Sequence, residues 1–123
     1  MAEQSNKVVV IVTHGPENKE LATIPFMMAN AALTVDKEAV VILQGSGVLL
    51  AQNGIYEHVF APGLSPLQDL LKSFLAGGGK LLVCTPCIAE RKIEVSMLIE
   101  GAEAIAGARV IKETTTSSAV LSY

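Results

Sequence analysis

Short apolar runs alternate with longer stretches of helical spacing along this chain. Residues 7–13 read Lys-Val-Val-Val-Ile-Val-Thr, residues 38–43 read Glu-Ala-Val-Val-Ile-Leu, and residues 81–83 read Leu-Leu-Val. A strand of a parallel sheet is covered on both faces, so it shows a continuous apolar run and not an alternation of apolar and polar positions. These three segments are therefore predicted to be buried strands.

Two stretches between these runs have apolar residues at helical spacing. Residues 17–35 predict a first helix, which Glu17 or Asn18 can begin and in which Pro25 should cause a kink or mark the true start. A second helix is predicted to begin at Ser65-Pro66 and to end at the glycines 77–79.

The remaining segments carry weaker patterns. We expect a short helix at 48–52, an extended piece at 56–60, an amphipathic helix at 94–106, and short final strands at 109–111 and 119–123. Strands that alternate with helices predict an α/β fold with a sheet of about five mostly parallel strands. At 123 residues the chain fits a single domain, residues 1–123.

Composition excludes several classes of protein. Half of the residues are hydrophobic and 17% are charged, so we expect some apolar surface to contact other subunits of a homo-oligomer. No run of about 18 apolar residues occurs, which argues against a membrane span. The polar residues 1–7 lack the pattern of a signal peptide, which favours a cytoplasmic protein.

Charge argues against nucleic-acid binding. The net charge is −3, and the nine basic residues are scattered along the chain. Phe26, Phe60 and Phe74 lie in apolar contexts and are predicted to be core residues instead of stacking platforms. We therefore expect no direct nucleic-acid partner.

The candidate chemistry lies where the third apolar run ends. Both cysteines of the chain are found there, as Cys84-Thr85-Pro86-Cys87. Pro86 favours the first turn of a helix, so Cys84 is predicted to lie at a strand-to-helix junction. Amides of that helix would lower the thiol pKa from about 8.5 toward neutrality and activate Cys84 as a nucleophile. Cys87 is either a resolving thiol or a small buried side chain.

Two other strand ends are predicted to lie beside the cysteines, because the carboxyl ends of parallel strands share one edge of the sheet. The first carries His14, a candidate proton acceptor or donor for Cys84. The second is a glycine-rich turn whose amides could hold an anion. The candidate contacts of an anion or substrate are Gly45, Ser46, Gly47, Thr85 and Arg91.

These motifs together resemble the DsrE/DsrF-like family, which includes the TusD-type sulfur-transfer proteins. The resemblance rests on the Val-rich first strand, Gly15-Pro16-Glu17, Gly45-Ser46-Gly47-Val48, and above all the spacing from Cys84 to Arg91. It implies a flavodoxin-like three-layer fold assembled as trimers or hexamers. It also implies that Cys84 accepts sulfane sulfur as a persulfide and passes it to a partner protein, in sulfur oxidation or tRNA thiolation. A sulfur carrier needs one reactive thiolate and a docking surface, so we expect no metal or bound cofactor.

The chain departs from the family pattern at two positions. Lys92 follows the arginine where many members carry glycine, and Cys87 is a second cysteine that sulfur-relay members often lack. A Cys-x-x-Cys pair also suits a dithiol redox enzyme or half of a zinc site, although zinc would need two further ligands. A third alternative is a binding module that holds a nucleotide or flavin at the same edge, with Tyr56 and Tyr123 available to cover a ring.

Overall fold

The computed structural model of the chain describes residues 5–123. Within these residues the strands are β1 (Lys7–Val12), β2 (Glu38–Leu43), β3 (Lys80–Cys84), β4 (Ala102–Ile105) and β5 (Ala119–Ser122). They form one five-stranded sheet in the order β4-β3-β2-β1-β5, and every neighbouring pair is parallel. The predicted α/β fold with about five mostly parallel strands, consistent with a flavodoxin-like architecture, is confirmed.

Helices connect the strands on both faces of the sheet. The α-helices are α1 (Lys19–Thr34), α2 (Leu67–Ala76), α3 (Thr85–Glu90) and α4 (Gly107–Thr115). Short 3-10 segments occur at Gly45–Ala51, Tyr56–His58 and Val95–Met97. None of the helices within residues 5–123 is both long and apolar enough to cross a membrane.

Alternate strand positions build two cores. On one face, Val10 of β1, Val41 of β2 and Leu81 of β3 belong to a large cluster with α1 and α2. In that cluster Phe26 and Phe74 pack edge to face, with ring centroids 6.1 Å apart. The other face has a smaller cluster, packed against Val110 of α4, made of Val9, Val40, Ile42, Leu82 and Ile105.

Strand order explains this asymmetry. From β1 to β4 the chain steps across the sheet in one direction, and right-handed crossovers then place every connection on the same face. The connection from β4 to β5 runs back past β1, so α4 lies on the opposite face. The edge where the site residues lie is therefore formed by the carboxyl ends of β1, β2 and β3, the central and most buried strands.

Helix α1 begins where the sequence suggested and continues through its proline. Asn18 is the N-cap, and its Oδ1 accepts the Leu21 N–H at 3.0 Å. Pro25 lies buried inside the helix and does not mark its start.

Two predictions between residues 94 and 111 are wrong. The expected helix at 94–106 is a 3-10 turn followed by β4, whose residues pair in parallel with β3 from Ala102 to Ile105. Gly101 has a φ of 102°, which interrupts any helix before β4 begins. The expected strand at 109–111 lies inside α4, where Gly107 is the first helical residue and not a helix stop.

The segment before α2 also differs in part. The short helix expected at 48–52 is found as the 3-10 segment Gly45–Ala51. The extended piece expected at 56–60 is wrong in its first three residues, since Tyr56–His58 forms a second 3-10 turn and only then does the backbone extend at Val59. Tyr56 is buried, and burial raises the pKa of its phenol, so this ring is not available to cover a ligand. Phe60, predicted to be a core residue, is 55% exposed.

An ion-pair network fixes α4 to the sheet. Glu113 is 7% exposed and accepts from Lys7 Nζ at 2.9 Å and from Arg109 Nε at 2.6 Å. Lys7 also donates to Thr116 Oγ1 at 2.6 Å, and an Arg109 guanidinium nitrogen lies 3.4 Å from Glu103. Burial alone would raise the pKa of Glu113, but these hydrogen bonds and charges outweigh it, and the pKa is lowered.

Candidate functional site

The two cysteines meet at the junction of β3 and α3. Cys84 is the last residue of the strand and the N-cap of the helix, and Pro86 occupies its first turn, as the sequence predicted. Both thiols are free and half-buried. Their Sγ atoms lie 2.7 Å apart, so one thiol donates a hydrogen bond to the other. The Cys-x-x-Cys spacing thus produces a direct sulfur-to-sulfur contact.

A backbone amide from the neighbouring strand end holds Cys87. The Gly45 N–H donates to the Cys87 sulfur, with nitrogen and sulfur 3.2 Å apart. Gly45 adopts a φ of 56°, in the left-handed region that favours glycine, as the chain turns from β2 into the first 3-10 segment. The turn whose amides were predicted to hold an anion therefore directs its Gly45 amide at a cysteine.

The expected lowering of the Cys84 pKa is wrong. Burial raises the pKa of this thiol, and its contact with Cys87 acts in the same direction. The Cys87 amide and the charge of Arg91 act in the opposite direction but do not outweigh these effects. Helix α3 has only six residues, so its dipole has little effect against burial. Cys84 is therefore mostly protonated near neutral pH. Its thiolate, once formed, is a stronger nucleophile than the thiolate of a more acidic cysteine.

The ends of β1 and β2 are packed backbone to backbone beside the cysteines. A Cβ atom on Gly15 would lie 2.3 Å from the Ser46 carbonyl oxygen, and one on Gly47 would lie 2.3 Å from the Val12 carbonyl oxygen. The Ser46 hydroxyl oxygen lies 3.2 Å from the Thr13 carbonyl oxygen, to which it can donate. Close packing thus accounts for these glycines without a bound anion.

Glu17 is part of this edge, in addition to its predicted place near the start of the first helix. Burial would raise the pKa of its carboxyl, but hydrogen bonds from the Ser46 hydroxyl and from the Gly15 and Asn18 amides lower it overall. A hydroxyl has one hydrogen, so Ser46 donates either to Glu17 or to Thr13. The position of Glu17 directly after Gly15-Pro16 was the available signal for a contact across this edge.

His14 shares no hydrogen bond with Cys84 or Cys87 within residues 5–123. It lies two residues beyond β1, and β2 separates β1 from β3. Neighbouring strands are about 4.8 Å apart, so the two strand axes are separated by roughly twice that distance. The buried Nδ1 of His14 has no hydrogen-bond partner in the described part of the chain.

Arg91 folds back over α3. Its guanidinium donates to the Cys87 carbonyl oxygen at 3.1 Å, and its side chain is exposed. Thr85, another candidate contact, is exposed as the first residue of the helix. Both residues border the cysteine pair from the solvent side.

The helix then ends in a Schellman motif. The Lys92 amide donates to the Ala89 carbonyl at 3.1 Å, and the Ile93 amide donates to the Ile88 carbonyl at 2.9 Å. Lys92 has a φ of 56°, which costs a lysine energy and costs glycine little. The helix end therefore keeps its hydrogen bonds with a lysine at this position, but the backbone of Lys92 is strained.

Almost the whole chain matches the sequence pattern of one known protein family. The profile of the DsrE/DsrF-like family matches residues 6–123. The chain belongs to the DsrE/DsrF-like family. This family is associated with sulfur relay.

This DsrE-like chain is also similar in sequence to a curated protein of greater length. It is 36% identical over 103 residues to the uncharacterized protein MJ0760 of Methanocaldococcus jannaschii, covering 84% of this chain and 37% of that protein. The chain thus spans little more than a third of the length of this curated relative.

Solved structures resemble the whole DsrE-like chain. The ychN protein from E. coli has a TM-score of 0.80 at 20% identity, covering 98% of this chain and 100% of its own. A protein of unknown function, MTH1491 from Methanobacterium thermoautotrophicum, has a TM-score of 0.71 at 15% identity, with coverage of 95% and 98%. At these identities the likeness shows the fold alone.

Neither a metal cluster nor a ligand-sized pocket occurs within residues 5–123. No three His, Cys, Asp or Glu side chains in that range are grouped as metal ligands, and no enclosed cavity is found there. The chemistry that the DsrE-like chain displays at this edge is that of two thiols in contact.

Proposed function

We propose that this protein is a sulfur carrier in which Cys84 accepts a sulfane sulfur atom as a persulfide and passes it to a partner protein. The observation that carries the proposal is the position of Cys84, half-buried at the carboxyl end of a central strand in a family associated with sulfur relay. Such a site can protect a bound sulfur atom while leaving one side open to a partner.

The transfer needs only thiol chemistry. The Cys84 thiolate attacks the outer sulfur of a donor persulfide R–S–SH, which yields Cys84–S–SH and the donor thiolate R–S⁻. An acceptor thiolate then attacks the same outer sulfur and releases Cys84 as a thiolate. Each step breaks one S–S bond and forms another, so no metal or external oxidant is required.

The raised pKa of Cys84 suits a carrier that must not be oxidised before it meets a persulfide. At neutral pH the thiol is mostly protonated, which protects it from oxidation by small molecules. Arg91 borders the pair and acts to lower the pKa, so it supports the reactive thiolate. Donor and acceptor proteins are the proposed partners, with this chain assembled as a homo-oligomer.

Mass spectrometry of the intact protein tests the proposal. The reduced protein is mixed with glutathione persulfide, and free thiols are then blocked by alkylation. We expect a gain of one sulfur atom in the Cys87→Ser variant and no gain in the Cys84→Ser variant. Equal gains in the two variants would contradict a carrier role for Cys84.

A further inference from the structure

Cys87 has no task in a one-cysteine carrier, yet its sulfur is the nearest reactive atom to Cys84. The two Sγ atoms are 2.7 Å apart, and a disulfide bond is about 2.05 Å long, so they can bond with a movement of less than about 1 Å. The Gly45 amide holds the Cys87 sulfur from the side of β2. Both cysteines are half-buried, so solvent and small thiols reach them less readily than they reach each other.

From this contact we infer that Cys87 discharges the Cys84 persulfide as hydrogen sulfide, so that the protein reduces persulfides when no acceptor takes the sulfur. The inference rests on the proposed loading of Cys84. It assigns the chain an activity, a substrate class of low-molecular-weight or protein persulfides, and a catalytic role for Cys87.

The reaction balances without an outside oxidant. Cys87 attacks the inner sulfur of Cys84–S–SH, the bond between the inner and outer sulfurs breaks, and the Cys84–Cys87 disulfide forms. The outer sulfur leaves with the bonding electron pair and the Cys87 proton as hydrogen sulfide. The sulfane sulfur is thus reduced by two electrons, and the two thiols are oxidised by two. A dithiol reductant then returns the disulfide to two thiols for the next cycle.

Geometry favours attack on the inner sulfur, and only that attack releases sulfide. The inner sulfur of the persulfide is the Cys84 Sγ that Cys87 already contacts, whereas the outer sulfur lies one bond further away. Attack by Cys87 on the outer sulfur would only move the sulfane atom from Cys84 to Cys87 and would release no sulfide.

Carrier and reductase activities therefore compete for different atoms of one persulfide. An acceptor protein attacks the outer sulfur and keeps it at the sulfane level, whereas Cys87 attacks the inner sulfur and releases the outer one as sulfide. A docked acceptor with a reactive thiol would lower sulfide release in proportion to the sulfur it receives.

A single-turnover experiment tests the inference. Reduced wild-type protein and the Cys87→Ser and Cys87→Ala variants are mixed with one equivalent of glutathione persulfide, which yields glutathione and not sulfide on loading. No dithiol is added. Samples are alkylated at successive times, and intact mass and released sulfide are measured together.

For the wild type we expect a transient gain of one sulfur atom. It should be followed by a mass two hydrogens below that of the reduced protein and by about one sulfide per chain, as the proposed stoichiometry requires. Both Cys87 variants should retain the added sulfur and release at least tenfold less sulfide over the same time.

The outcomes separate the two proposals. A wild type that keeps the added sulfur, or sulfide release that is equal in wild type and both Cys87 variants, would overturn the inference and leave the carrier function standing. Failure of every protein that contains Cys84 to gain sulfur would overturn both.

Discussion

Replacing Glu113 with alanine gives the sharpest test of how α4 is held on the sheet. This carboxylate is 7% exposed and accepts hydrogen bonds from Lys7 of β1 and Arg109 of its own helix. Its removal leaves Lys7 and Arg109 without their nearest anion, on the face of the sheet that carries the smaller core.

The expected loss of stability follows from burial. Breaking a buried ion pair by removing one partner costs about 3–5 kcal/mol. Lys7 keeps its contact with Thr116, and Arg109 keeps Glu103, so the loss should fall near the lower end. The better helix propensity of alanine offsets only a few tenths of a kcal/mol, as an order of magnitude. We expect a decrease of about 3 kcal/mol in the free energy of unfolding, or about 10 °C in Tm for a chain of this length.

The effect should depend on pH with a defined sign. The pKa of Glu113 is lowered in the folded state, so its contribution is fully present above the pKa that it has in the unfolded chain. The contribution is lost as pH falls through the folded-state pKa. The difference between wild type and variant should therefore be constant near neutral pH and shrink in acid.

Urea denaturation monitored by circular dichroism at several pH values measures both effects. Glu103→Ala is the matched control, because Glu103 is a mostly exposed partner of the same arginine and should cost less than about 1 kcal/mol. Equal losses for the two variants, or a Glu113→Ala loss that does not change in acid, would refute the reasoning.

Three further predictions concern the edge of the sheet and its thiols. Lys92→Gly should raise the free energy of unfolding by about 1 kcal/mol in urea denaturation, because it relieves a positive φ; a loss would contradict the strain. Gly47→Ala should lower Tm markedly, because its Cβ would meet the Val12 carbonyl oxygen. The control Gly107→Ala has open space around it and should change Tm little. Equal shifts in Tm would contradict the close packing of Gly47 against β1. Alkylation of Cys84, followed by peptide mass spectrometry, should reach half its maximal rate at a higher pH than alkylation of an unstructured cysteine peptide, because burial raises its pKa. A lower midpoint would show that the thiolate is stabilised instead.

The central fold could be predicted because its strands are unambiguous. Continuous β-branched runs identify β1 and β2, and a Schellman-forming glycine run ends α2 before β3. The β4 segment reads Ala-Glu-Ala-Ile and has little intrinsic strand preference, so only its pairing with β3 determines its structure. The Val110-Ile111 pair suggested a strand, but the Arg109–Glu113 ion pair and packing onto the smaller core favour a helix.

For the site, only the positions of the two cysteines relative to the strand and the helix could be predicted. Strand and helix signals were sufficient to place Cys84 at a strand end and Cys87 in the first turn that follows. They could not reveal the Cys84 pKa, because burial and the contact with Cys87 depend on neighbours distant in sequence. The glycines near residue 45 suggested an anion site, whereas the close approach of Gly47 to β1 is visible only in three dimensions.

Peptide mapping of the Cys87→Ser variant after exposure to glutathione persulfide tests the central claim most directly, because that variant cannot discharge a persulfide internally. We expect one added sulfur atom on the peptide that contains Cys84, removed when an acceptor thiol is supplied and recovered on that thiol. A Cys84 peptide that stays unmodified in the folded protein, under conditions that load an unstructured cysteine peptide, would contradict a role for this protein as a sulfur carrier.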